Sequence, residues 1–230
     1  MEELLYKLIP EIENKSVEYK DLAIRRYNDF YAYSEIPRVC YGFYDQGIIP
    51  PKLGGVFKNI KTAVEDGYNF LIMFSNYKNL EYIAYLMMEA LFKQCILDED
   101  LPNRQIIYAD IRLLMQDYKN LIDLEDEENI TKPSYSKRTL NNNIYSAPMV
   151  IWNKLSSIKS AYDKEKLEYI VSRRVNDGLG NIYFYNSTTD KLMDLLGVPL
   201  YEQLKIDLCF DCRNYKIEIS SRKDVEIFKC

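Results

Sequence analysis

Hydrophobic and polar positions alternate between two periods along this chain. The clearest stretch is Asn69–Phe92: an apolar run, Phe70–Phe74, then a polar turn through Asn79, then apolar residues at helical spacing from Leu80 onward. This predicts a buried strand at 70–74 and a helix at about 79–95. Upstream, Leu4, Leu5, Leu8 and Ile9 form an apolar face before Pro10, and Val17, Leu22, Ile24, Tyr27 and Phe30 continue the helical pattern. Residues 34–55 read as an irregular connector with Pro37, Pro50-Pro51 and Gly54-Gly55. A helix at about 56–66 follows and stops at Gly67.

Downstream, Arg104–Tyr108 is a second strand, and Asp110 is placed to cap a helix at about 111–121. Residues 121–146 lack regular periodicity and hold an acidic run, Asp123–Glu128, ahead of a basic piece, Lys132–Arg138. Ala147–Trp152 is a third strand. A helix at about 163–176 follows, with Arg173-Arg174 near its end, where cations suit the helix dipole. Asn181–Tyr185 is a fourth strand, Ser187 or Thr189 caps a helix at about 190–196, and Gly197 ends it. Strands at about 205–210 and 215–220 are expected to close a terminal hairpin. Strands alternating with helices predict an α/β fold, a mostly parallel sheet covered on both faces. The expected organisation is a helical N-terminal arm, 1–33, and one larger domain, 34–230.

Composition narrows the chemistry. An apolar fraction of 47% over 230 residues supports a substantial core, and a net charge of −5 gives no global attraction to nucleic acid or anionic membrane. No apolar run approaches the ~20 residues that span a bilayer, and Met1-Glu2-Glu3 does not open a signal peptide, so no membrane partner and a cytoplasmic location are expected. Heavy use of Tyr, Lys, Asn and Ile suggests an AT-rich genome. Histidine is absent, which removes the commonest general base and metal ligand. The CxxC at Cys209–Cys212 has no second pair or histidine to complete a zinc site, so no metal is expected. Acid pairs such as Asp163/Glu165 read as surface groups.

The order strand, loop, helix at 70–92 is that of a phosphate-binding P-loop unit. Such a loop needs glycines, so that backbone N–H groups can wrap the phosphates, and a Lys followed by Ser or Thr. Here Ser75–Tyr82 contains no glycine; Lys78 lies early, and Leu80 or Glu81 falls where the lysine belongs. A carboxylate there repels a triphosphate, so no nucleotide cofactor is expected. The basic piece offers Lys132, Tyr135, Lys137 and Arg138 as single-strand DNA contacts by charge and stacking, opposed by the adjacent acidic run.

Several fragments, taken in order, carry a resemblance: Ser34-Glu35-Ile36-Pro37-Arg38, Phe57–Gly67 with Phe70–Phe74, Tyr108–Leu114, Met149-Val150-Ile151, Ile182–Ser187 and Asp190–Gly197. Over roughly residues 34–220 this resembles the AAA+ domain of bacterial helicase loaders of the DnaC/DnaI type. The resemblance implies an AAA+-like three-layer αβα sandwich with no intact P-loop. It also implies that Trp152 and Asn153 stand where the family has its two Walker B acids, Asn186 where it has a sensor 1 polar residue, and Gln203 near its arginine finger. Trp and Asn neither neutralise Mg²⁺ nor polarise water, and Gln carries no charge. The resulting expectation is a pseudo-ATPase: a non-catalytic replication accessory protein, of phage or mobile-element type, that binds a replicative helicase or poses as a loader subunit. Leu4, Leu5, Leu8 and Ile9 are its candidate docking residues. Two rival readings stand beside it: a single-stranded DNA-binding module, and an ATP-binding loader with a rearranged site.

Overall fold

A computed structural model describes residues 9–33, 50–97, 106–116, 118 and 144–214. Five short strands, β1 (Asn69–Met73), β2 (Ile106–Asp110), β3 (Met149–Asn153), β4 (Gly180–Tyr185) and β5 (Leu208–Asp211), form one sheet. The order is β2-β3-β4-β1-β5 and every neighbouring pair is parallel. The helices are α1 (Val17–Tyr33), α2 (Gly54–Lys58), α3 (Ile60–Glu65), α4 (Tyr77–Leu97), α5 (Ala161–Asn176), α6 (Thr189–Leu196) and α7 (Val198–Gln203). A parallel sheet needs crossovers between its strands, and these crossovers cover both faces; this is why β1, β3 and β4 are buried at every residue.

The core divides by strand alternation. Phe70, Ile72, Ile151 and Phe184 pack with α2, α3 and α4 on one face, while Leu71, Met73, Trp152 and Tyr183 pack with α5, α6 and α7 on the other. Ile9, Ile12, Ala23 and Tyr27 belong to the first of these clusters. Residues 9–27 of the expected N-terminal arm thus pack onto the layer that holds α4. Ile9 is 1% exposed, and Leu4, Leu5 and Leu8 lie outside the described residues.

Local chemistry explains most boundaries. The Ser16 side chain accepts from Tyr19 N–H at the start of α1. The expected helix at 56–66 is two helices, broken at Asn59. Gly67 then turns the chain into β1 with φ +69, and a Cβ there would sit 2.1 Å from the Gly178 carbonyl oxygen, so only glycine fits. The second strand lies two residues later than expected, and Asp110 caps the helical residues after it, accepting from Arg112 N–H at 3.0 Å. Asp163 is not a surface group: it is 5% exposed and closes a capping box with Ser160 at the start of α5. Thr188, between the two expected caps, accepts from Lys191 N–H to start α6. Of the two strands expected in a terminal hairpin, the first is β5, which pairs parallel with β1, and residues 215–220 lie outside the described residues.

One buried charge organises the amino ends of the strands. Arg174, in the last turn of α5 as expected, is 0% exposed. Its guanidinium donates to the carbonyls of Ile144, Ala147 (3.0 Å) and Gly180 (2.6 Å), and to Asn181 Oδ1 (2.8 Å). Burial pushes its pKa down to about 10, which leaves it charged near neutrality. Asn181 Oδ1 also accepts from Trp152 Nε1 at 3.0 Å, and its Nδ2 donates to Asn69 Oδ1 at 2.8 Å and to Leu179 O at 3.1 Å. That carboxamide uses its full hydrogen-bonding capacity and joins β3, β4 and β1.

A second buried polar pair fastens α1 to α4. Tyr27 donates to Glu89 Oε1 at 3.0 Å and packs edge-on against Phe92. Burial raises the Glu89 carboxyl from 4.5 to about 8, with the Tyr27 hydrogen bond opposing. The folded protein thus keeps a proton that the unfolded chain releases above pH 4.5. Stability is full below that value and falls as pH rises towards about 8, by about 1.4 kcal/mol per pH unit from this group. Glu89→Gln is expected to flatten that decline, so that its melting temperature gains on the parent between pH 5 and pH 8. Parallel melting curves across this range would contradict the assignment.

Candidate functional site

In open parallel sheets, ligands bind beyond the carboxyl ends of the strands, where the strand order reverses. Here that place is the carboxyl end of β1, flanked by β4 and β5, with β3 beyond β4. The chain passes from β1 to α4 through three residues, Phe74, Ser75 and Asn76. Phe74 is buried and its N–H donates to Tyr185 O at 3.0 Å; Ser75 Oγ donates to Arg213 O at 2.7 Å. Lys78 lies in the first turn of α4 and Leu80 is fully buried within it. The connector is short, is tied at Phe74 and Ser75, and contains no glycine.

Beside it, polar side chains from three elements meet. Asn153, at the end of β3, is 0% exposed; its Nδ2 donates to the Tyr108 hydroxyl of β2, and its Oδ1 accepts from Lys154 N–H at 2.8 Å. Tyr108 in turn donates to Glu81 Oε1 of α4, at a long 3.5 Å. Glu81 and Asn153 are thereby bridged by a tyrosine that the sequence reading assigned only to a strand. Lys154 follows in the left-handed region, φ 60, costly for a residue with a Cβ. Its Nζ reaches Asp110 Oδ2 at 2.5 Å, and Ser157 donates to its carbonyl through Oγ at 2.7 Å. The five groups form a chain, Glu81–Tyr108–Asn153–Lys154–Asp110, across the carboxyl ends of β2 and β3. Lys154, the cation of the group, is neutralised within it by Asp110.

The remaining expected positions are dispersed. Trp152 points into the core towards Asn181, away from this edge. Asn186 is half-buried just beyond β4. Gln203 is exposed at the end of α7 and accepts from Ser172 Oγ of α5 at 3.2 Å. Lys132, Tyr135, Lys137 and Arg138 lie outside the described residues, as do Cys40 and Cys230. Cys209 is exposed and Cys212 buried, and burial raises both thiols, Cys212 to about 11. Protonated thiols are poor metal ligands and poor nucleophiles. Among the described residues, no cluster of three His, Cys, Asp or Glu side chains could hold a metal, and no helix is long and apolar enough to cross a membrane.

No protein-family model matches this sequence, and no curated protein sequence matches it significantly. Solved structures do. The DnaC helicase loader superposes with a TM-score of 0.57 at 16% identity, covering 76% of this chain and 99% of that one. DnaI superposes with a TM-score of 0.52 at 11% identity, over 78% of this chain and 95% of that one. A DNA replication initiation factor superposes with a TM-score of 0.50 at 13% identity, over 80% of this chain and 51% of that one. The chain therefore shares the fold of the DnaC and DnaI structures.

If Tyr108 closes this edge of the sheet, Tyr108→Phe leaves Asn153 and Glu81 short of a partner. The expected loss is about 1–3 kcal/mol in a denaturant titration. An unchanged midpoint would show that the bridge is incidental.

Proposed function

We propose that this protein is a non-catalytic, helicase-loader-like accessory factor of DNA replication that works by binding a replicative helicase or a helicase loader. The fold shared with DnaC and DnaI supports the replication setting. The single observation that carries the non-catalytic part is the side-chain chain from Glu81 through Tyr108 to Asn153, lying where a P-loop domain places its phosphate and metal groups. Phosphoryl transfer depends on a lysine, a metal and acids held at fixed points around the phosphates. Here the corresponding side chains satisfy one another, one is a carboxylate, and the connector after β1 has no glycine. Loss of the nucleotide site with retention of the αβα body favours a role built on surfaces.

Loader subunits meet one another through the faces that flank their nucleotide sites, so a subunit without such a site would enter an assembly and not cycle. That supports inhibition of a loader as one form of this function. Two measurements test the proposal. Titration with a fluorescent ATP analogue is expected to show no component that requires Mg²⁺; saturable Mg²⁺-dependent binding would overturn the non-catalytic reading. Size-exclusion chromatography of the full chain with the replicative helicase, and separately with the loader, of its native host is expected to show co-elution with one of them. Failure to co-elute with either removes the binding role.

A further inference from the structure

A cleft of about 500 Å³, away from the vacated phosphate region, lies between α5 and the residues at 118 and 145–146. Its walls are Tyr118, Tyr145, Ser146, Lys166, Tyr169 and Arg173, with Ile170 at the base. The α5 contribution is regular. Tyr162, Lys166, Tyr169 and Arg173 recur at intervals of four, three and four residues, which puts aromatic rings and cations alternately on one helical face. Lys166 Nζ lies 5.5 Å from the centre of the Tyr162 ring, and the Arg173 guanidinium stacks 4.6 Å from that of Tyr145. The rings of Tyr145 and Tyr169 meet edge to face at 6.3 Å.

The chemistry of the walls is selective. Tyr169 is 59% exposed although it is a large aromatic, and a ring left open beside two cations is an unfilled stacking platform. Among the described residues Arg173 has one ion-pair contact, Asp177, at 4.0 Å and about half-exposed, too open to quench the guanidinium. The phenols of Tyr118 and Tyr145 are hydrogen-bonded to each other, and burial raises both above the ordinary tyrosine value. They stay neutral at physiological pH and offer no negative charge against an anion. The cleft's volume is in the range of small-ligand sites, about 300–1,000 Å³.

We propose that this cleft binds a nucleobase together with its attached phosphate, the base stacking on the exposed ring of Tyr169, with the Tyr145 edge beside it, and the phosphate held by Lys166 and Arg173. The ligand is either a free nucleotide or one residue of a single-stranded nucleic acid. This site is separate from the region after β1, and it stands whether or not the protein binds a helicase or loader.

The test uses the full-length protein, with adenosine and thymidine monophosphates titrated by calorimetry and a fluorescein-labelled ten-residue oligothymidylate followed by anisotropy. Saturable binding of the mononucleotides assigns a free nucleotide, and binding of the oligomer alone assigns a strand. Tyr169→Ala, at an exposed position that folding does not need, is expected to weaken binding about tenfold. For the oligomer, Lys166→Ala with Arg173→Ala is expected to lower the slope of log affinity against log salt by about 1.4, the share of two phosphate contacts on a single strand. The control variant Lys132→Ala/Lys137→Ala/Arg138→Ala is expected to keep the Tyr169 dependence. The proposal is overturned by absence of binding to both probes, by binding indifferent to Tyr169→Ala, or by displacement of the oligomer by an oligoglutamate of equal charge.

Discussion

A buried guanidinium held by amide oxygens is the constraint on which this fold turns. Arg174 has left water completely, and among the described residues its hydrogen bonds go to three backbone carbonyls and the side chain of Asn181. A buried charge left unpaired is costly, so each of those oxygens must be in place at once. They come from residues 144–147, from the first residue of β4, and from its second. The requirement therefore fixes how α5 lies against the sheet, where β3 enters it, and, through Asn181 and Asn69, where β1 begins. The backbone of Asn69 then carries the alignment to β5, since Asn69 N–H donates to Asp207 and Asp207 N–H donates to the Asn69 carbonyl.

The two ends of the sheet thus differ in kind. The amino ends are locked by a saturated polar cluster, a structural device. The carboxyl ends, where this architecture places chemistry, carry a looser chain with a long 3.5 Å contact and a lysine held in the left-handed region. A protein that had merely lost a ligand would expose unmatched polar groups there. In this chain the side chains at that edge hydrogen-bond to each other, which suits a body kept for its surfaces. The cleft on α5 is the complementary case: rings and cations there face outward, beside a helix whose opposite side is committed to the core through Leu167, Ile170 and Val171.

Much of the architecture was legible in the residues. The wholly apolar runs at 70–74 and 149–151 and the alternation of strands with helices implied a covered parallel sheet, because only burial on both faces tolerates such runs. The candidate site was legible only as residue types: no glycine after β1, Leu80 and Glu81 early in α4, Trp152 and Asn153 at the end of β3. Its positive content was not. Tyr108 sits in a strand and is separated from Glu81 by 27 residues and from Asn153 by 45, so no local pattern links the three. For residues 9–27 the residues left the partner of the apolar face open, because a helical pattern looks the same whether that face meets the body or another protein.

What the sequence determined by itself is therefore periodicity, element type, and the lack of glycine at residues 75–82, all properties carried within a window of neighbours. What only the tertiary structure decided is which polar groups are buried together. Arg173 and Arg174 are adjacent and chemically identical, yet one stacks on a tyrosine at the surface and the other holds the sheet from within. Adjacent residues on a helix point about 100° apart, and the direction of the core is set by strands that are remote in the chain.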